Sequence, residues 1–253
     1  MSQTTTAISA SPSSCEEYYK KLHASCTAVL DATFAADGDR RQAASHGFVG
    51  DIEAWAKALA LRPEAELFQT GLREYQFALL ALVQGQYRQA FMALRLSFEL
   101  LLGGVYLSAN ELELRVWLRG RNDLVWGNLI DEQTGVLSKR FIGAFFEDLA
   151  DKAATYRVMA QALYRECSEY VHGNPPKSAR LPDGVSFSAA VFADSHEKAK
   201  SLRLVVHFCL CARYLLVLDK TARAPLESVV LDALGHMPEI RHVFGAPVEL
   251  LNV

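Results

Sequence analysis

The stretch QYRQAFMALRLSFELLLGGVYLS, Gln86 to Ser108, is apolar around most of a helical circumference, and this constrains the fold more than any other feature. A helix with apolar side chains on nearly all sides is stable in water only where other elements cover it from several directions, so it must be the central rod of a bundle. The remaining chain offers that cover. Its periodicity is helical nearly throughout, and its β-branched clusters are too short to build a sheet, so the expected fold class is all-α, an up-and-down helical bundle. A second apolar run, Leu204 to Leu218, carries His207 and Arg213 and falls short of the roughly twenty residues that cross a bilayer, so it reads as a buried helix with no membrane partner.

The order of segments follows from stop signals. A first helix is expected from Cys15 to Ala36, ended by Asp37-Gly38-Asp39, and a second from Arg40 to Leu61, ended by Arg62-Pro63. Pro63 opens a third helix reaching Gln84, and Gly85 separates it from the apolar fourth. Between 110 and 140 the pattern weakens, and short helices carrying Trp117 and Trp126 are expected over the bundle. A long helix from Phe141 to Val171 should stop at His172-Gly173-Asn174-Pro175-Pro176, where glycine supplies a left-handed cap and the prolines forbid continuation. Leu181 to Phe192 reads as a loop, Ser195 as the cap of the last long helix to Lys220, and Pro225 to Leu234 as a terminal helix before a loose tail. The resulting division is a disordered tail over 1–14, an N-terminal helical segment over 15–62, the bundle over 63–220 and a C-terminal helix and tail over 221–253.

Charge and cysteine usage narrow the function classes. A net charge of −3 with a pI near 6.2 argues against a surface built for broad duplex DNA binding, and 51% hydrophobic content is too high for a disordered chain. Of the 26 basic residues 17 are Arg, the residue suited to gripping a phosphate or carboxylate with a planar fork, so a local anion site stays open. The five cysteines, at 15, 26, 167, 209 and 211, show no zinc-ligand spacing and read as reduced thiols of a cytoplasmic protein. No metal and no cofactor is implied. The first fifteen residues lack a basic start and a long apolar stretch, so no export is expected.

The informative charges sit as stripes on apolar helices. At 100° per residue from Arg88, Arg95 falls at about −20° and Glu99 at about +20°, a narrow charged line on the fourth helix. Either these groups pair internally, Arg95 with Glu99 fixing bundle register, or they face a site. On the long helix, counting from Arg165, His172 lies near about −20°, Ser168 near about −60° and Glu169 near about +40°, while Tyr156, Met159, Leu163, Cys167, Tyr170 and Val171 take the opposite side. The bland alternatives are a solvated face and a His172 that only satisfies helix-end carbonyls. An Arg followed after four to six residues by His also arises about once by chance from this composition. Arg40 and Arg41 with His46 match it as well and are read as background.

The wording around the stripes carries more than the spacing. GQYRQAFMALRLSFELL from Gly85 to Leu101, the tryptophan-bearing connector, and LYRECSEYVHGNPP from Leu163 to Pro176 together resemble bacterial HEPN-like proteins, a helical-bundle superfamily that includes RNase toxins and phage-defence effectors. The resemblance spans about Pro63 to Lys220. It implies a four-helix HEPN-type core with extra N-terminal helices, metal-independent endoribonuclease activity, and a homodimer whose two motifs line a composite cleft. Arg165 and His172 match the motif positions and would be catalytic. Family members often carry a small polar residue directly after the motif Arg, where this chain has Glu166.

On this reading His172 is the general acid or base that helps an RNA 2′-hydroxyl attack the adjacent phosphate, and Arg165 stabilises the charge that develops on it. Ser168, Glu169, Arg95, Glu99 and Arg88 are supporting or substrate-binding residues. RNA is the expected partner, as substrate, with a second copy of the chain and a partner or antitoxin protein. The alternative is a non-catalytic HEPN-like interaction or nucleotide-binding module within a larger defence system. A thiol pair of Cys167 and His172 fares poorly, because Cys167 lies on the apolar face. The N-terminal helices are a candidate cover for the site.

Overall fold

A computed structural model describes residues 14–247, all helix and connector with no strand among them. The disordered tail expected over 1–14 lies almost wholly outside the described residues. Helix α1 (Cys15–Thr33) is capped by Ser14, whose hydroxyl accepts from the Glu17 N–H. No break follows at Asp37-Gly38-Asp39: a π-helical turn, Phe34–Gly38, winds directly into α2 (Asp39–Ala58). Helices α3 (Ala65–Val83) and α4 (Tyr87–Ser108) form an antiparallel hairpin around Gly85, whose φ of +74° suits glycine and ends the helix as its sequence suggests. The two helices approach closely because small residues face the neighbour. The Ser97 hydroxyl donates to the Gly71 carbonyl across the seam at 2.7 Å, and the Gly104 backbone meets the Phe68 ring.

The connector holds α5 (Glu111–Trp117) and α6 (Trp126–Leu129), with Trp126 stacked on Tyr164 at 3.8 Å. The long helix expected from Phe141 is divided in two. Helix α7 (Lys139–Phe145), capped by Ser138, ends where Phe146 turns extended, a 3-10 turn covers Glu147–Lys152, and α8 runs over Ala153–Val171. The fold-back brings Gly143 so near Ala150 that a Cβ added to the glycine would lie 3.4 Å from the alanine Cβ, whereas a straight helix would hold the two residues about 10 Å apart along its axis. Phe141, Phe146 and Leu149 are all buried in this arrangement.

After α9 (Pro175–Ser178), the last long helix α10 (Ala189–Tyr214) is capped by Ser188 rather than Ser195. Ser195 lies one turn and more inside it and bonds back to the Val191 carbonyl. Helices α11 (Lys220–Arg223), α12 (Glu227–Leu234) and α13 (Pro238–Val243) close the chain, with a 3-10 turn at Ala224–Leu226. The tail expected to be loose contains α13, which buries Ile240.

Helix α4 is the central rod, packed against α3, α8 and α10. Its length and composition would also suit a membrane span, but most of it is buried inside the bundle. One core runs from Phe48, Ile52 and Trp55 of α2 and Leu59 just after it through to Ile240 of α13. Helix α2 is therefore part of the core, fastened to α10 by Ser45 on His196 at 2.7 Å and by Asp51, which meets both His207 and Arg203. Of the run Leu204 to Leu218, residues 204–214 form the end of α10, which stops at Tyr214 short of the expected Lys220; residues 205–215 are buried, whereas Leu216 and Val217 in the following turn are exposed.

Candidate functional site

The C-terminal end of α8 is built by its cap. With His172 as C-cap and Gly173 at φ +66°, the N–H groups of His172, Gly173 and Asn174 donate to the carbonyls of Ser168, Tyr170 and Glu169. This is a complete Schellman arrangement. The backbone itself thus satisfies those last carbonyls, and the His172 imidazole is not needed as a cap. The ring is exposed and makes no side-chain hydrogen bond among the described residues.

Arg165 is 82% exposed and leans on Glu169 at 3.5 Å. Glu169 also meets Lys177 of α9 at 3.5 Å, so one carboxylate is shared between two cations. Ser168 bonds back to the Tyr164 carbonyl at 2.7 Å, an internal helix contact that does not orient His172. Arg88, in the first turn of α4, reaches the same end: it donates to the Ser178 hydroxyl at 3.2 Å, and a Cβ added to Gly173 would lie 3.6 Å from its Nη1. Arg88 is half-buried and makes no ion pair among the described residues. A cleft of about 460 Å³ opens beside it, walled by Leu22 and Cys26 of α1 and by residues 181–185.

Arg95 and Glu99 belong to a different place, about two and three turns further along α4 than Arg88. Arg95 donates to Glu99 at 3.4 Å and to the Tyr164 hydroxyl, and Tyr164 in turn donates to Glu99 at 2.8 Å. The guanidinium lies over the Tyr164 ring at 4.5 Å, and Trp126 stacks on that ring's other side. Burial first, then the Glu99 carboxylate, raises the Tyr164 pKa, so the phenol keeps its proton. The pair is therefore a register device joining α4 to α8, the internal role open to it from its spacing, and it does not join His172.

Glu166 points away from Arg165. It pairs at 2.7 Å with Lys198 of α10, which also meets Asp194 at 2.7 Å and is almost fully buried. Burial acts to lower the Lys198 pKa, but the hydrogen bonds of Asp194 and Glu166 outweigh it and raise the value. Cys167 is buried, and desolvation pushes its thiol up to about 12, which leaves no thiolate for nucleophilic chemistry at neutral pH. The five cysteines are all free, with Cys15 alone exposed.

The fold thus gathers Arg165, Glu169, His172 and Arg88 at one end of the bundle and sends Arg95 and Glu99 elsewhere. Sequence reasoning missed Lys177 and Ser178 at that end. Their signal was available in the short α9 that Pro175 starts directly after the glycine cap. Comparison with family models, with curated proteins and with solved structures returns no match for this chain.

Proposed function

We propose that the protein is a HEPN-like, metal-independent endoribonuclease that works as a homodimer in a toxin–antitoxin or antiphage setting, with Arg165 and His172 of each copy as its catalytic pair. The observation that carries the reading is the His172 imidazole, exposed at a helix end whose last carbonyls accept from backbone N–H groups without it, next to the Gly173 cap that the Arg88 guanidinium approaches. A neutral imidazole removes the 2′-hydroxyl proton, the oxygen attacks the adjacent phosphorus, and the 5′-oxygen leaves with a proton. The products are a 2′,3′-cyclic phosphate and a 5′-hydroxyl. Arg165 stabilises the added charge on the phosphorane. Its surface pairing with Glu169 is weak enough for a phosphate to displace.

The test is incubation of purified protein with mixed RNA in EDTA, comparing the wild-type chain with His172→Ala. Cleavage by the wild type that falls at least a hundredfold in the variant is expected. Equal, negligible cleavage by both would refute the enzyme reading. A non-catalytic interaction module is the second reading, favoured by the sharing of Glu169 between Arg165 and Lys177 and by the exposed Met92 and Leu96 on α4.

A further inference from the structure

The cleft beside Arg88 gathers polar groups that the fold itself leaves unused. Its volume of about 460 Å³ lies in the range of about 300–1,000 Å³ that small-molecule sites occupy. Arg88 is its cation. A guanidinium is a planar fork of N–H donors, and among the described residues only Nη2 is committed, to the Ser178 hydroxyl. Half-buried and without a carboxylate among the described residues, Arg88 lines the cleft in a form suited to a phosphate. The exposed Asp183 carboxylate, in the 181–185 wall, makes no hydrogen bond or ion pair among the described residues. Gln86 Nε2 donates to Gln84 Oε1 at 3.0 Å and to Cys26 Sγ at 3.7 Å, which leaves the Gln86 carbonyl oxygen as an open acceptor. The exposed Gln89 amide has no partner among the described residues. Tyr87 stands outside this set, because its hydroxyl already accepts from the Ser188 N–H. Leu22 of α1 and Leu181, Pro182 and Val185 give the cleft its apolar walls.

These groups select the occupant. A bare anion would use Arg88 and Ser178 alone, and an apolar ligand would cover the guanidinium without satisfying it, which costs free energy. A nucleoside monophosphate uses them all. Its phosphate takes Arg88 and Ser178, its ribose hydroxyls donate to Asp183, and its base lies between apolar side chains with its edge on the two glutamine amides. We infer that this cleft is a mononucleotide site, formed by α1, the start of α4 and the 178–185 segment, and needing neither Arg165 nor His172. It goes beyond the nuclease reading and does not depend on it. A free nucleotide and one residue of an RNA strand present the same chemistry here. Helix α1 buries only Cys26, Val29 and Thr33, so a ligand spanning from Leu22 to Arg88 and Val185 also ties α1 to the bundle.

The test reads binding and its location. In calorimetric titrations of the full chain, 5′-AMP should bind with a Kd on the order of 10–100 μM, and ribose 5-phosphate and inorganic phosphate at least tenfold more weakly. Arg88→Gln should weaken 5′-AMP at least tenfold, and Val185→Trp, which fills the cleft, should abolish binding with an unchanged far-UV circular dichroism spectrum. Hydrogen exchange should slow on adding 5′-AMP over α1 and residues 178–188 and stay unchanged over α5. In the His172→Ala chain, which lacks the proposed base, tighter binding of a hexanucleotide RNA than of 5′-AMP identifies a strand residue as the ligand, and weaker binding a free nucleotide. No saturable binding in the millimolar range, inorganic phosphate binding as tightly as 5′-AMP, or an affinity unmoved by either substitution overturns the inference. Mononucleotide binding without RNA cleavage removes the nuclease reading alone, and cleavage without mononucleotide binding removes this site alone.

Discussion

His196 makes the fastening of α2 to the bundle sensitive to acid. The residue is 6% exposed, Nδ1 meets the Ser45 hydroxyl at 2.7 Å, the Phe192 ring packs edge-on at 4.4 Å, and Nε2 has no partner among the described residues. Protonation would add a buried N–H with no acceptor to receive it. Desolvation, with a smaller contribution from Arg41, lowers the pKa from 6.5 to about 4. A histidine depressed in this way leaves the native state at full stability above the unfolded value, and stability is lost as pH falls from 6.5 towards 4. The gap corresponds to roughly 3 kcal/mol, a large share of the 5–15 kcal/mol typical of a folded domain. Urea denaturation at pH 7.0, 5.5 and 4.0 should show the wild type losing about 3 kcal/mol more than His196→Asn across that window. Asparagine keeps an acceptor for Ser45, and both chains carry the same carboxylates, so their difference isolates the imidazole. Parallel stability–pH curves for the two proteins would refute the assignment.

Two further changes probe the packing. Gly104→Ala gains about 1 kcal/mol of helix propensity but drives a methyl to 2.7 Å from Cε1 of the buried Phe68 ring; overpacking of about 2–3 kcal/mol should win, and a raised melting temperature would show that α3 yields. Lys198→Met leaves Glu166 and Asp194 facing each other without their buried ammonium and should cost about 3 kcal/mol at pH 7, less at pH 4, as calorimetry at the two pH values would show.

The end of α8 was legible because its determinants are local. Glycine's access to positive φ and the lack of N–H on two prolines fix the cap whatever surrounds it, and Gly85 acts in the same way between α3 and α4. Boundaries set by distant contacts were not legible. The split of the expected long helix at Phe146 depends on Gly143 lying near Ala150, and the α2 helix joins the core through Phe48, Ile52 and Trp55, whose burial is settled by α3 and α10.

The all-α class and the apolar central rod follow from the sequence alone, because periodicity and the chemistry of glycine and proline operate over a few residues. The partners of charged side chains were decided only when the helices met. The wheel places Arg88, Arg95 and Glu99 on one line, but Tyr164 and Trp126 hold Arg95 and Glu99 in a structural pair while Arg88 turns to Ser178 and the Gly173 cap. The exposure of Met92 and Leu96 has the same origin. A helical wheel gives the direction of a side chain, whereas its burial depends on which neighbouring helix arrives there, and that is a property of the packed bundle.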